Sequence, residues 1–402
     1  MMTRILHLSH TDIRTDARIL KEMNALDAMA LGVRCIAIGV ARDDPLEPAG
    51  HGKQANIRSL RLLARHFKVA GKAVRRLTCL VEMNLRMWIL GLVHRPKIVH
   101  CHDAIVLPAG WCISRTLGSS LVYDAHELES HCNPDMPSVE RLALWLERWS
   151  WSRVSLLVSV SPSIINWYQF NLGPKQSVLV MNAPVVKKLE SVQERSSAER
   201  TKRYRNGYLH DRFGVPPDVP VFVNVGFSAW GRGVHTILEV FSRPIIKSHV
   251  VFLGSGDVAS VMASASGCTK VHFHPAVPHD EVVQVVRSAQ YGFCIAEDIC
   301  LNARFSLPNR LFEYAAAGVP VLASRLPEIA RVVEKYGLGI CCANDADSIE
   351  AAVRKIEQEG IEAPRSDLTD LSWETQSKQL QQAYLSLLSG RGLSPAGKTG
   401  RC

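Results

Sequence analysis

The run from Ser306 to Val321, SLPNRLFEYAAAGVPV, carries the densest chemical pattern in the chain. It reads as a loop feeding a helix start, a helix end built of small residues, a stop at Gly318 and then a strand. Amides at a helix start lack intrahelical acceptors and sit at the positive end of the peptide dipoles, so Ser306, Leu307, Asn309 and Arg310 form a segment suited to phosphate. Glu313 falls about two turns into the helix, where a carboxylate can accept bonds from ribose hydroxyls. Read without a ligand, the run is a packed helix–strand unit with a surface glutamate.

Two glycine turns end predicted strands: Val225-Gly226-Phe227-Ser228-Ala229-Trp230-Gly231-Arg232-Gly233 and Leu253-Gly254-Ser255-Gly256-Asp257. Glycine at Gly226 and Gly254 lets backbone approach a ligand closely. In the first half, Val99-His100-Cys101-His102-Asp103 and Val122-Tyr123-Asp124-Ala125-His126-Glu127 stand at strand ends. His100, His102 and Asp103 are metal-ligand types, but no third histidine stands at helical ligand spacing, and no metal is expected. His126 is either an active-site group or a capped loop histidine. Glu127 either orients His126 or caps the following helix, and Asp16 reads as a helix N-cap.

These residues need elements to hold them. Predicted strands Ile5–Ser9, Val33–Val40, Ile98–Cys101, Leu121–Tyr123, Leu156–Val160 and Val178–Met181 alternate with helices over Asp16–Leu31, Leu107–Leu117, Ser138–Arg153 and Pro162–Phe170. The alternation restarts with strands at Val221–Val225, Val250–Leu253, Val271–Phe273, Gly292–Ala296, Val319–Ala323 and Gly339–Cys342. Strand–helix alternation implies parallel, doubly wound sheets, here two of them. The expected division is a domain over 1–186, a charged linker over 187–207 and a second domain over 208–370. A helix over 371–388 crosses back to the first domain, and a disordered tail covers 389–402. Ligands of such sheets bind beyond the carboxyl ends of the strands, in a cleft between the two halves.

Composition narrows the classes. With 402 residues, 47% of them hydrophobic and 21% charged, the chain suits two globular domains. The eleven cysteines form no framework and no C-x-x-C pair, which suits free thiols in a reducing compartment. No apolar leader follows the N-terminus, and no stretch approaches the roughly 18 apolar residues of a membrane span, so a cytoplasmic address is expected. The formal charge of +9 is concentrated over 58–97, where ten Lys and Arg face the single Glu82 among interleaved apolar residues. A basic amphipathic helix there is either a surface for anionic lipid, making the protein peripheral on the inner face of the membrane, or a solvated helix packed on the sheet. Nucleic acid is not expected, because no base-stacking or groove-reading motif is present.

The Ser306–Val321 run resembles the nucleotide-binding segment of retaining glycosyltransferase family 4, whose fold is GT-B. The resemblance spans nearly the whole chain, most closely Val221–Pro327. It implies two Rossmann-like domains facing across a cleft, and transfer of a sugar with retention from a nucleotide-diphosphate donor to a lipid-linked or polysaccharide acceptor, without a metal. Glu313 matches the second glutamate of the family's Glu-x7-Glu motif and would bind ribose, while Phe305 occupies the place of the first. Arg232 matches the second of two basic positions that hold the diphosphate, the first being Phe227. The resemblance makes His126, Arg232 and Glu313 the catalytic group and His102, Asp103 and Glu127 the acceptor side. Phe305 and Phe227 keep a catalytically silent scaffold open as an alternative, and an epimerase acting on the nucleotide sugar can share the same architecture.

Overall fold

Apolar runs rich in Val, Ile and Leu, with almost no polar alternation, demand strands covered on both faces, and parallel sheets wrapped by helices meet that demand. A computed structural model of the protein describes residues 2–29, 32–42, 56–66, 71–185, 207–226, 232–255, 267–279, 281–362 and 368–389. The chain forms two compact units, Met1–Val180 with Ser377–Cys402, and Met181–Gln376. Most of the expected linker and tail, with Phe227, Gly231, Gly256 and Asp257, lie outside the described residues.

The first unit runs β1 (Thr3–Ser9), α1 (Ala17–Asp27), β2 (Val33–Val40), β3 (Ile57–Leu60), α2 (Lys72–His94), β4 (Ile98–His102), α3 (Leu107–Leu117), β5 (Ser120–Ala125), α4 (Pro137–Trp151), β6 (Val154–Ser159), α5 (Pro162–Leu172) and β7 (Ser177–Leu179). Its strands are parallel in the order β3-β2-β1-β4-β5-β6-β7. The order reverses between β1 and β4, and the carboxyl ends of those two strands are the place where such sheets hold ligands.

The second unit runs α6 (Tyr208–Phe213), β8 (Val221–Val225), α7 (Val234–Ser242), β9 (His249–Leu253), β10 (Val271–His274), α8 (Val282–Val286), β11 (Tyr291–Cys294), α9 (Leu301–Phe305), α10 (Asn309–Ala317), β12 (Val321–Ser324), α11 (Pro327–Tyr336), β13 (Gly339–Cys342), α12 (Ala346–Glu359) and the start of α13 (Trp373–Ser389). Its sheet, β10-β9-β8-β11-β12-β13, is also parallel and reverses between β8 and β11. Phe222, Phe241, Phe252, Phe293 and Ile237 fill the core under that reversal.

Helix ends follow local chemistry. Asp16 accepts from the amides of Arg18 and Ile19 at the start of α1, and Ser161 accepts from Ile164 ahead of Pro162 in α5. α13 begins in the second unit, where the Trp373 amide donates to Pro184. In the first unit, Gln381 of the same helix donates to Ala25.

The basic region differs from a single amphipathic helix. Arg58 lies on β3, Arg61 and Arg65 precede the helix, and α2 begins only at Lys72. The β-branched start Ile57 and the carbonyl and amide partners offered by β2 favour a strand, which charge patterning could not reveal. Among the described residues no helix is long and apolar enough to cross a membrane.

Candidate functional site

At the reversal of the second sheet, β8 ends in Asn224 and Val225 and is followed by Gly226, and β11 is followed by Ile295 and Ala296. Gly226 has φ +70°, and its carbonyl oxygen accepts from Arg232 Nη1 at 2.5 Å. A Cβ on Gly226 would lie 2.5 Å from that nitrogen, so the absent side chain is the space the guanidinium occupies. Arg310, from the first turn of α10, is buried and donates to Asn224 Oδ1 at 3.1 Å and to the Ile295 carbonyl. Its Nε has no partner among the described residues.

The two guanidinium groups repel one another: burial first, then Arg310, lowers the pKa of Arg232. Among the described residues neither forms an ion pair with a carboxylate, and the Glu313 charge acts on Arg232 only from a distance. α10 starts at Asn309, after Pro308 with no side-chain cap; the Leu311 amide donates to the Pro308 carbonyl, leaving the Asn309 and Arg310 amides as donors. Glu313 is buried on the same helix, with Oε1 3.8 Å from His279 Nδ1.

Tyr314 holds α10 in place. Its hydroxyl accepts from the Val225 amide at 3.1 Å and sits 3.0 Å from the carbonyls of both Val223 and Phe293, donating to one of them. Its ring lies where Gly292 has no side chain, since a Cβ there would be 2.7 Å from the ring. One tyrosine therefore ties α10 to both strands at the reversal.

In the first unit, the ends of β1, β4 and β5 place His7, His100, His102 and Asp124 side by side, all fully buried. Arg18 and Glu22 come from α1, and Tyr384 from α13. Arg18 donates to Asp124 at 3.1 Å and to the Val180 carbonyl at 3.1 Å, and its Nε is 3.0 Å from Glu22. The hydroxyl of Tyr384 meets His100 Nδ1. His126 Nε2 lies 2.9 Å from Asp124 Oδ2 and 3.2 Å from His102 Nδ1, and His102 Nε2 lies 3.0 Å from His7 Nδ1.

Electrostatics orders this cluster. Burial opposes a charge on His126, but Asp124 and Asp103 outweigh it and raise its pKa to about 9. Burial also opposes ionisation of Asp124, yet the charges of Arg18 and His126 hold it well below the carboxylate range. Glu22 is driven the other way, by burial and by repulsion from Asp124, and is the protonated partner. His7 and His102 are kept neutral by burial and then by repulsion from His100. A cationic His126 fixes the tautomers: its Nε2–H points to Asp124 and His102 Nδ1, His102 Nε2–H points to His7 Nδ1, and His7 Nε2 is left without a partner.

The ligand atoms of Glu22, His100, His102 and Asp124 lie within 4.8 Å of one another, a spacing open to a metal ion. Asp124, the ionised member of that group, already has its cationic partners in Arg18 and His126, and Glu22 is protonated.

Asp103 closes the site. It has φ 72° and ψ 159°, a backbone region that favours glycine, and such strain collects at functional positions. Its carboxylate stands 3.5 Å from His10 Nδ1 and 3.7 Å from His126 Nδ1.

Residues 16–183 match the glycosyl transferase 4-like domain, and residues 219–359 match the glycosyl transferases group 1 domain. The chain belongs to glycosyltransferase family 4, with the GT-B fold. Sucrose-phosphate synthase from Thermosynechococcus elongatus is similar to this glycosyltransferase with a TM-score of 0.74 and 16% identity, over 96% of this chain and 100% of the other. The UDP-forming trehalose-phosphate synthase from Burkholderia xenovorans gives 0.66 and 11%, over 98% and 100%. Anabaena Alr3699/HepE, in complex with UDP and glucose, gives 0.62 and 13%, over 96% and 100%. These likenesses concern the fold. No curated protein sequence matches the chain.

Within the glycosyltransferase, the expected residues fall into two groups. Gly226, Arg232 and Arg310 come together at the reversal of the second sheet, with Asn309 and Glu313 on the same helix as Arg310. Gly254 follows β9 with φ +147°, while Leu307 is buried and Ser306 bonds the Ala303 carbonyl. Phe305 ends α9, half-buried. His102, Asp103 and His126 come together in the first unit, with Glu127 exposed beside them. His102, expected on the acceptor side, is fully buried between His7 and His126, so its contact is with His126 and not with solvent. Arg310, expected to touch the donor, has its guanidinium turned inward to Asn224 and Ile295.

Sequence reasoning missed Glu22, Asn224, Tyr314 and Tyr384. A periodic signal existed for the first two, since a polar residue at a core position of a helix or strand must be satisfied. Tyr384 pairs with a histidine almost three hundred residues away, and no local pattern announces that.

Proposed function

We propose that this glycosyltransferase moves a hexose, with retention, from a UDP-sugar to a glycan or lipid-linked acceptor. The observation that carries the reading is the pair of neighbouring guanidinium groups, Arg232 and Arg310, which form no ion pair with a carboxylate among the described residues, beside a helix start with no side-chain cap. A diphosphate supplies the missing negative charge, and charge-assisted bonds to it strengthen as the leaving group gains charge. Arg232 takes the phosphate oxygens directly, and Arg310 contributes its field from behind. Glu313 accepts from the ribose. The UDP named with the Alr3699/HepE structure and the UDP-forming synthase supports uracil as the base.

In the transfer, the bond between the sugar's anomeric carbon and the diphosphate breaks, and the acceptor oxygen bonds to that carbon from the same face. The acceptor proton leaves to the departing phosphate oxygen. His126 is the exposed member of its cluster, with 19% of its side chain accessible. As a cation at neutral pH it donates a hydrogen bond from Nδ1 to a sugar or acceptor oxygen and is not the base.

The test is thermal stability of the intact chain with UDP, GDP, ADP and dTDP. A ligand bound only by the folded state raises the melting temperature, so a shift selective for UDP is expected, and Arg232→Ala should abolish it. No shift with any of the four would remove the proposal. Conversion of a UDP-sugar in the absence of acceptor would redirect it to the epimerase reading.

A further inference from the structure

α2 is apolar on two sides. Its inner side meets the sheet and α3: Met83 and Met87 are buried, and a Cβ on Gly91 would lie 2.3 Å from Ile113 of α3, so the helices touch as closely as backbone allows. The other side carries Val74, Leu77, Val81, Leu85, Ile89 and Val93, all exposed. Their spacing of three and four residues draws one stripe along a helix of 23 residues, roughly 34 Å long. Among the described residues no element covers that second stripe.

It does not stand alone. α2 packs along α3, and α3 along α4. On α4, Val139, Leu142, Trp145 and Trp149 are exposed at helical spacing. Trp149 bridges the helices, its ring 4.5 Å from Trp111 of α3 and 6.2 Å from Trp145. Trp145, the outermost, is 59% exposed.

The charges on these helices are one-sided. Arg75, Arg76, Arg115, Arg141 and Arg148 lie on them, at exposed or half-exposed positions. The three acidic residues are spent inside the fold. Glu82 accepts from the Leu63 and Ala64 amides and pairs with Arg86. Glu140 accepts from the Asn133 amide, and Glu147 is buried against Tyr123 and Tyr168. The outer face is therefore apolar and cationic with no free carboxylate of its own.

We propose that the outer face of α2, α3 and α4 docks on a bilayer surface containing anionic phospholipid. Aliphatic stripes with tryptophan at the edge and arginine on the flanks are the chemistry of a helix lying in the headgroup layer, where apolar side chains sink and guanidinium groups meet phosphate. A second copy of the chain is the poorer occupant, because a two-fold contact would press the same arginines together. The inference is independent of the donor reading, since none of these residues belongs to the UDP site.

The experiment is flotation of the intact protein with two kinds of vesicle, pure phosphatidylcholine and phosphatidylcholine with about one third phosphatidylglycerol. Binding to the anionic vesicles alone is expected, falling as salt rises. The double variant Leu77→Glu/Leu85→Glu should weaken binding roughly tenfold or more while leaving the melting temperature and the UDP response unchanged. Because both leucines are exposed, a lost fold is not expected; should the variant unfold, quenching of tryptophan emission by brominated lipid, lost in Trp145→Phe, reads the same contact in a second way. No flotation with anionic vesicles overturns the proposal. A dimer in solution that Leu77→Glu/Leu85→Glu dissociates, without vesicle binding, overturns it in favour of self-association.

Discussion

Replacing Gly226 by alanine tests how the proposed diphosphate site is built. At φ +70° a side chain costs about 1–2 kcal/mol of backbone strain. The new Cβ would lie 2.5 Å from Arg232 Nη1, so the guanidinium must withdraw by about 1 Å to reach ordinary contact. That withdrawal breaks its bond to the Gly226 carbonyl and misaims it at the phosphates. A charge-assisted hydrogen bond contributes about 1.5–3 kcal/mol, which corresponds to roughly ten- to hundredfold in UDP affinity. The fold should survive with a loss of only a few degrees, about 2–4 °C for each kcal/mol in a unit of this size. Isothermal calorimetry of UDP against the wild type, Gly226→Ala, Arg232→Ala and the double variant reads the effect. Since both changes act through one guanidinium, the double variant should bind no worse than Arg232→Ala, within about 0.5 kcal/mol. A folded Gly226→Ala protein with wild-type affinity would refute the reasoning. So would strict additivity, which would mean that Gly226 acts separately from Arg232.

Three further outcomes follow from the buried networks. His126 has a folded pKa of about 9 against an ordinary 6.5, so its contribution of ~3 kcal/mol is complete below pH 6.5 and is lost as pH rises through 9. Glu22, raised by burial, adds in the same direction as it is forced to ionise; melting of the first unit should therefore fall between those pH values, and a flat profile would contradict the assignment. Asp124→Asn should destabilise that unit by about 3–5 kcal/mol, because it strands Arg18 and His126 without their carboxylate, and should bring the His126 titration down in NMR. Tyr314→Phe deprives the Val225 amide of its acceptor and should cost about 1–3 kcal/mol, with weaker UDP binding because α10 is no longer pinned to β8 and β11. An unchanged melting temperature would show that another acceptor takes over.

Much of the second unit was written locally. The Ser306–Val321 run specifies a loop, a helix and a strand through proline, small residues and Gly318, and the structure has α10 and β12 there. Parallel sheets followed from continuous apolar strands alternating with helices, because only burial on both faces suits such runs. What local pattern could not convey was partnership. β3 is a strand because β2 offers it a ladder, although its sequence lies in the basic stretch that reads as helix. The direction of Arg310 was equally hidden, since the same residue type at a helix start serves a phosphate outside or Asn224 and Ile295 inside.

The sequence by itself determined the fold class, the family and the helix start that suits a phosphate, because periodicity, turn chemistry and motif spacing are properties of neighbours along the chain. Only the tertiary structure decided which cations lack partners, why His126 is charged, and that α2 carries a second apolar stripe. Burial, desolvation and charge balance depend on residues that are remote in sequence and meet only when the sheets are assembled.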